Sequence, residues 1–213
     1  MPPSKSENNG LVCLTELDLR VYSIGISTGG VAEMRMAELN PSRHIIATTI
    51  DSEGAKFAQK YIDDHGFSRQ VAVSIEDISK PLNYENEFFD FIYARLVLHY
   101  LTKDQLSLAL KEIYRILKMN GKLFVVVRSS KCQEAHAKNT IYDPSTGIST
   151  YVSSEGITYK RYFHTETSIQ DYLTTAGFKI KNTKSFEEQL YIDFQRTRPS
   201  SNIDSLIEVL AAK

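Results

Sequence analysis

The sequence predicts an α/β fold, in which a mostly parallel sheet carries helices on both faces. Short apolar runs alternate with segments of helical spacing between residues 20 and 127. A glycine-bearing turn at residues 25–30 (GISTGG) follows the first run, and a lone acid, Asp51, directly follows the second. Strands that alternate with helices connect by right-handed crossovers, which produce a parallel sheet buried on both faces. A chain of 213 residues can bury one good core, so we predict a single domain.

Five apolar runs are predicted to form the parallel strands of this sheet. They are rich in valine, isoleucine, phenylalanine and tyrosine, whose side chains favour a pleated and buried surface. Each run is bounded by glycine, proline or short polar residues, which is typical of a strand end. The predicted strands are residues 20–25, 44–50, 70–75, 89–94 and 122–127.

Three helices are predicted to connect these strands. The first ends at the Asn-Pro pair of residues 40–41, because proline does not continue a helix. Ser52 is predicted to cap the second helix, which ends near Gly66. Thr102 and Gln105 form a capping box for the third, which is expected to end at the Asn-Gly pair of residues 120–121. The residues predicted to face the core are Ala32, Met36, Leu39, Phe57, Ala58, Tyr61, Ile62, Leu106, Leu110, Ile113 and Leu117.

The alternation of strands and helices changes after the fifth strand. Residues 129–165 are irregular and rich in turn signals, and the runs 148–152 and 157–163 are predicted to pair as a hairpin. A short helix follows and ends at a glycine, and residues 178–186 then alternate as a strand does. The spacing of residues 206–211 fits either a helix or a final strand.

Composition and charge narrow the class of protein. The hydrophobic share of 42% and the charged share of 24% are typical of a globular protein. The formal net charge of −1 does not favour nucleic acid or an anionic membrane as a partner. Cys13 and Cys132 show no disulfide or metal spacing, and the histidines are dispersed, so no metal is predicted. Residues 1–10 are polar and predicted to be disordered. No apolar run approaches the ~20 residues of a membrane span, so we expect a cytoplasmic protein.

The middle of the chain resembles the class I S-adenosylmethionine-dependent methyltransferases. Residues 89–94 (FDFIYA) and 96–101 (LVLHYL) are similar to the fourth strand of that family and the loop after it. Residues 110–123 (LKEIYRILKMNGKL) resemble its next helix and fifth strand. The resemblance extends over residues 20–177.

The resemblance implies a Rossmann-like sheet of seven strands, of which the last is antiparallel. It therefore assigns residues 206–211 to a strand and treats residues 129–165 as an insertion after strand five. One departure lies at Met119 and Asn120, where the family usually has a proline and a glycine.

The resemblance also implies S-adenosylmethionine as the cofactor. The glycine turn would bring backbone close to the methionine and ribose parts of the cofactor. Asp51 would accept both ribose hydroxyls, and Asp77 would accept the adenine amino group. Two departures weaken the match, because Ser23 replaces the usual acid of the turn and Ser27 its usual second glycine. The implied cofactor-binding residues are Ser23, Gly25, Ser27, Thr28, Gly29, Asp51, Ser52, Asp77, Ile78, Ala94 and Arg95.

The methyl acceptor is expected next to the end of the fourth strand. His99 is a candidate general base, which is needed only if the acceptor must lose a proton, and a structural histidine is the alternative. Arg95 could hold an acidic group of the acceptor or pair with an acid of the chain. The insertion is predicted to fold over the sheet edge and close the pocket. The predicted acceptor-binding residues are Arg95, His99, Arg128, Arg161 and His164.

The predicted function is methyl transfer to a small molecule, with no nucleic acid or membrane partner and an open oligomeric state. Because of Ser23 and Ser27, a degenerate fold that only binds or regulates is one alternative. An RNA or protein methyltransferase would need a local basic cluster. A NAD-dependent oxidoreductase would use the same turn, but its middle glycine, which admits a pyrophosphate, is serine here. Residues 25–29 also fit the Gly-x-Ser-x-Gly pattern of hydrolases, without the partner acid and histidine that such an enzyme needs.

Overall fold

A computed structural model describes residues 4–26, 29–153, 156–191 and 197–213. The helices are α1 (Lys5–Leu11), α2 (Val31–Glu38), α3 (Ser52–Asp64), α4 (Lys103–Ile116) and α5 (Glu166–Thr175). The strands are β1 (Arg20–Ile24), β2 (His44–Thr49), β3 (Val71–Ile75), β4 (Phe89–Arg95), β5 (Leu117–Arg128), β6 (Ile141–Tyr142), β7 (Ser149–Val152), β8 (Thr158–Arg161), β9 (Lys179–Tyr191) and β10 (Pro199–Ala212). Among the described helices, none combines the length and the apolar character needed to cross a membrane.

The central sheet has seven strands in the order β3-β2-β1-β4-β5-β10-β9. The strands from β3 to β5 are parallel, and β10 runs antiparallel to both β5 and β9. This order confirms the predicted fold class, and it assigns residues 206–211 to a strand. From β1 the chain first adds β2 and β3 on one side and then crosses to add β4 and β5 on the other side. The change of side leaves a crevice between β1 and β4, where open α/β sheets bind their ligands.

Two apolar cores lie on opposite faces of the sheet. Tyr93 and Ala94 are neighbours in β4 and belong to different cores, because successive side chains of a strand point to opposite faces. Helices α4 and α5 cover the face of Ala94, and α1, α2 and α3 cover the face of Tyr93. The sheet is therefore buried on both sides, and its carboxyl edge remains as the place for a ligand.

The amino-terminal segment differs from its prediction. Residues 1–10 were expected to be disordered, but Ser4 caps the helix α1, which packs on the sheet, while residues 1–3 lie outside the described residues. Gly10 lies against two aromatic rings, and an added Cβ there would approach Tyr93 to 2.5 Å and Phe124 to 2.9 Å. The local sequence is polar, so this packing against the sheet, and not helix propensity, explains the order of the segment.

The start of α3 and the end of α4 also differ from their predictions. Asp51, and not Ser52, is the N-cap residue of α3. Helix α4 ends at Ile116, well before the predicted Asn-Gly stop, because β5 already begins at residue 117 and pairs there with Phe89. Asn120 has a φ of 64°, and asparagine tolerates this left-handed conformation better than most residues. Asparagine can therefore stand where the family usually has glycine.

The capping box and the hairpin agree with their predictions. Thr102 and Gln105 exchange the two expected hydrogen bonds at the start of α4. Strands β7 and β8 pair antiparallel, and β6 adds a third strand to this small sheet. Two side chains predicted to face the core are exposed instead, namely Leu39 at 56% and Phe57 at 51%.

Candidate active site at the carboxyl edge of the sheet

The turn after β1 is shaped by one glycine with a positive φ. Gly25 has a φ of 79°, and an added Cβ would lie 2.8 Å from the Cγ2 atom of Val97. Two reasons therefore exclude any residue with a side chain at this position, namely the positive φ and the lack of space beside Val97. The amides of Gly25 and Ile26 both donate to the Thr48 carbonyl at 2.8 Å. Contrary to the sequence expectation, these two amides hold the turn against β2 and do not face a ligand.

The rest of the turn is described only in part. Ser27 and Thr28, both predicted to contact the cofactor, lie outside the described residues. Gly29 is buried. Gly30 has a φ of 53° and begins α2, with its α-carbon close to Ile62.

A buried carboxyl group lies beside Ser23, where the resemblance led us to expect an acid. The Ser23 hydroxyl donates to Glu33 at 2.5 Å, and both side chains are at most 3% exposed. Burial raises the pKa of Glu33, while the hydrogen bond from Ser23 lowers it. The sequence analysis missed Glu33. Its position in the first turn of a helix that follows a glycine turn was the signal that could have identified it.

Asp51 lies at the end of β2 and is exposed to solvent. One carboxylate oxygen accepts the Glu53 amide at 3.1 Å, which satisfies one of the free amides at the start of α3. An added Cβ on Gly54 would approach the other oxygen to 2.7 Å, so the glycine makes room for this carboxylate. Ser52 follows as an exposed residue of the first helical turn.

Asp77 lies in the loop after β3 and is half-buried. It accepts hydrogen bonds from the amide and the hydroxyl of Ser79, at 3.0 and 2.7 Å, and pairs with Lys80 at 3.3 Å. The Ser79 bonds, and then the lysine, hold the pKa of Asp77 below its usual range. Ile78 beside it is buried in the core.

Glu76 is engaged elsewhere, which leaves Asp77 as the acid of the groove. The hydroxyls of Tyr22 and Tyr84 both donate to the Glu76 carboxylate. The groove has a volume of about 520 Å³. Its lining residues are Ile50, Ile75, Glu76, Asp77, Lys80 and Pro81.

Of the two predicted roles of Arg95, the structure shows the pairing with an acid of the chain. Its Nε donates to Ser6 at 2.7 Å and its Nη2 to Ser4 at 2.8 Å. The same Nη2 lies 3.9 Å from a carboxylate oxygen of Glu188 in β9. The guanidinium therefore ties the start of α1 to the sheet and does not point to the pocket around His99. Ala94, its neighbour in β4, is fully buried.

The other four predicted acceptor-binding residues come together under the insertion. His99 is 1% exposed in a 3-10 turn, Leu98–Tyr100, and its carbonyl accepts the Tyr162 amide at 2.7 Å. The His164 amide donates to the Arg128 carbonyl at 3.0 Å, which joins the end of the hairpin to the end of β5. Arg161, in β8, stacks on the ring of Tyr100 at 4.0 Å.

Both buried histidines of this pocket are neutral. Burial lowers the pKa of His164 to about 3. Burial lowers the pKa of His99 well below 6.5, and the positive charges of Arg128 and Arg161 lower it further. A neutral imidazole can accept a proton from a substrate, but one with so low a pKa holds that proton weakly.

Three other side chains near Arg128 have the donor atoms of a metal site. The sulfur of Cys132 and the carboxylates of Glu134 and Asp204 have ligand atoms within 4.8 Å of one another. The Arg128 guanidinium binds the Asp204 carboxylate and lies 3.7 Å from Glu134. Burial raises the pKa of Cys132 to about 11, so its thiol keeps its proton. Arg128 therefore supplies the positive charge that a metal ion would otherwise bring.

Comparison with known proteins finds one matching family model and several solved structures of similar fold. Residues 22–125 match the family model of a methyltransferase domain. The fold is similar to an S-adenosylmethionine-dependent methyltransferase from Methanosarcina mazei, with a TM-score of 0.76 at 21% identity, over 100% of this chain and 99% of that chain. A putative S-adenosylmethionine-dependent methyltransferase from Listeria monocytogenes has a TM-score of 0.70 at 18% identity, over 98% of both chains.

The same fold occurs in a protein with another activity. The [4+2]-cyclase SpnF has a TM-score of 0.69 at 19% identity, over 97% of this chain and 80% of that chain. A search of curated proteins finds no match. At these identities the solved structures show a shared fold, and the chemistry must be argued from the residues of the site.

Proposed function

We propose that this chain, of which residues 22–125 match the family model of a methyltransferase domain, is an S-adenosylmethionine-dependent methyltransferase that methylates a small molecule bound between β4 and the insertion. The proposal of S-adenosylmethionine as the cofactor rests on one observation, which is that two acids follow neighbouring strands at the same position in the register. Thr49 and Ile75 are Cα partners in the β2–β3 pair, and Asp51 and Asp77 each follow two residues later. The two acids therefore follow neighbouring parallel strands at the same edge of the sheet.

The residues present fit the adenosine part of S-adenosylmethionine. Ile50 and Ile75 are 74% and 61% exposed, and such large apolar surfaces favour a flat apolar ring. Asp51 is available to two ribose hydroxyls and Asp77 to an adenine amino group. When bound, the cofactor supplies an electrophilic methyl group on a positively charged sulfur.

On the acceptor side, the chain contributes a buried cluster of polar side chains next to the insertion. His99 and His164 are almost completely buried, and the insertion covers the turn that carries His99. Positioning of the acceptor and exclusion of water are the effects that such a cluster can supply. His99 is the proposed base for an acceptor that must lose a proton, and it has no part in the reaction of an acceptor that arrives deprotonated.

One other function has support from particular observations. Ser23 and Ser27 depart from the family turn, two amides of the turn are bound to Thr48, and SpnF has this fold and is named a cyclase. The alternative is therefore a protein that binds a ligand at the same edge without transferring a methyl group.

Calorimetric titration tests the cofactor directly. We expect S-adenosylmethionine and its demethylated product to bind with micromolar dissociation constants, and NAD not to bind. The reason is that the sheet edge carries two acids for a ribose and a base, whereas the amides of Gly25 and Ile26, in the described part of the turn, already donate to Thr48. No heat from any of the three ligands would contradict the proposal and favour the alternative.

The substitution Asp51→Asn separates the ribose role of this residue from its capping role. Asparagine caps helices as well as aspartate does, so the melting temperature should not change. Loss of the charged acceptor should weaken S-adenosylmethionine binding by about 1.5–3 kcal/mol, measured by calorimetry. Asp171→Asn, which changes an exposed carboxylate of α5, is the matched control. Equal affinities of Asp51→Asn and wild type would remove Asp51 from the site.

A further inference from the structure

Three buried polar atoms in the cluster of His99, Arg161 and His164, where we place the acceptor, have no partner among the described residues. They are Nδ1 of His99, Nε of Arg161 and Nε2 of His164. Buried donors and acceptors without partners are rare in folded proteins, because a buried polar group that is left unpaired has lost its hydrogen bonds to water. Three such atoms in one pocket indicate that a ligand completes their hydrogen bonds.

The charge of Arg161 has no counter-ion in the part of the chain that the structure describes. Its side chain is only 8% exposed. Arg128 in the same pocket provides the contrast, since it is paired with Asp204 and Glu134. A buried charge without a partner is strongly destabilising, so a protein keeps one where a ligand brings the opposite charge.

The orientation of the Arg161 guanidinium indicates the shape of that ligand. Its Nη1 donates to the Lys160 carbonyl at 2.8 Å, which leaves the Nε side of the planar group for a ligand. This side presents parallel N–H groups that match the two oxygens of a carboxylate. The two neutral imidazoles add hydrogen bonds without charge, so the pocket fits a single negative charge better than two.

Aromatic rings surround this guanidinium. Tyr100 and Tyr159 lie 4.0 and 5.0 Å from its central carbon, and the buried ring of Tyr151 packs on Tyr159 at 5.5 Å. Flat rings favour a flat apolar body next to the charged group.

We propose that the acceptor is a small aromatic carboxylate, whose anionic group pairs with Arg161 beneath the hairpin and hydrogen-bonds to His99 and His164. This inference rests on the proposed function, because the ligand is a methyl acceptor only if the protein transfers a methyl group. The anion site itself is defined by the chain alone, so the two can fail separately.

The first test needs no ligand. Arg161→Met removes an unpaired buried charge and keeps a flexible apolar side chain against the tyrosine rings. We expect the melting temperature of the ligand-free protein to rise by about 2–4 °C. Arg69→Met, which removes an exposed arginine, should leave it unchanged. A lower or unchanged melting temperature of Arg161→Met would mean that the guanidinium is already paired within the chain, and would overturn the proposal.

The second test measures the charge preference with simple probes. Benzoate and benzamide have the same shape and differ in charge, and their binding can be followed by the NMR signals of the imidazole protons. Benzoate should shift the signals of two of the five histidines, and should bind about tenfold more tightly than benzamide. Arg161→Met should lose this preference, whereas Arg69→Met should keep it. Equal binding of the two probes, or binding of neither, would overturn the proposal.

Two further measurements keep the outcomes distinct. Calorimetry with S-adenosylmethionine on the same samples tells the two proposals apart. If the cofactor binds and benzoate does not, only the proposed class of acceptor is wrong. If benzoate binds and the cofactor does not, only the methyltransferase proposal is wrong.

Glu155 lies outside the described residues, so Arg161→Met is also made together with Glu155→Gln. A gain in melting temperature that is larger in the Glu155→Gln background would reveal an internal ion pair and overturn the proposal.

Discussion

Acidification from pH 6.5 to pH 4.5 is expected to destabilise the protein by about 2–3 kcal/mol for each of its two buried histidines. His99 and His164 have pKa values lowered by burial, so the folded state keeps them neutral while the unfolded state protonates them. The unfolded state therefore binds more protons below the ordinary pKa of 6.5, and stability falls with decreasing pH. The loss continues for His164 until the pH approaches its folded pKa of about 3.

Urea unfolding at several pH values measures this slope. Each neutral histidine contributes about 1.4 kcal/mol per pH unit, so His164→Gln should remove about half of the dependence between pH 6 and pH 4.5. The slope is the readout, because the substitution can also change stability at neutral pH. His44→Gln, which removes an exposed histidine, should retain the wild-type slope. Burial raises the pKa of Asp204 to about 6, which offsets part of the loss equally in all variants. Identical slopes for His164→Gln and wild type would show that His164 is not held neutral.

Arg43→Met is expected to lower the free energy of unfolding by about 3–5 kcal/mol. The Arg43 side chain is 1% exposed, and its guanidinium donates to three backbone carbonyls, those of Thr15, Asp18 and Met36, at 2.6–2.7 Å. Two of these carbonyls lie in the segment before β1 and the third in the last turn of α2. Methionine would remove the donor to the carbonyls of Asp18 and Met36, whose bonds to Arg43 are buried. The carbonyl of the exposed Thr15 would keep the Asp18 amide as a donor, at 3.2 Å.

The effect should be visible in urea unfolding at neutral pH. Arg43→Lys should lie between methionine and wild type, because an ammonium group cannot reach three carbonyls in the planar geometry of arginine. Arg69→Met is again the exposed control. Since β1 pairs with β2, which leads to Ile50 of the groove, S-adenosylmethionine binding should weaken together with stability. A loss of less than 1 kcal/mol would mean that water can take the place of the guanidinium.

The strands and the positions of Asp51 and Asp77 after two of them could be predicted because their signals are local. The run before Asp51 is apolar and β-branched, and an acid at its end must lie at the carboxyl edge of a parallel sheet. The capping box of Thr102 and Gln105 is likewise a contact between residues three apart. Such features depend on the backbone of a few neighbouring residues, and tertiary packing did not override them.

The destinations of long polar side chains could not be predicted in the same way. Arg95 was expected either beside the acceptor or paired with an acid of the chain, but the sequence did not identify Glu188 or the two serines, 89 and 91 residues earlier, that bind it. Glu33 was not considered, although its carboxyl group lies beside Ser23. Nothing in the spacing of these residues distinguishes one partner from another.

By itself the sequence determined the order of strands and helices, the family resemblance and the set His99, Arg128, Arg161 and His164. Only the tertiary structure decided that Arg128 is paired within the chain while Arg161 is not, and that the two histidines are buried and neutral. The physical reason is that backbone periodicity is a property of neighbouring residues. Charge pairing and desolvation depend on which distant segments the fold brings together, and the chemistry of this pocket depends on both.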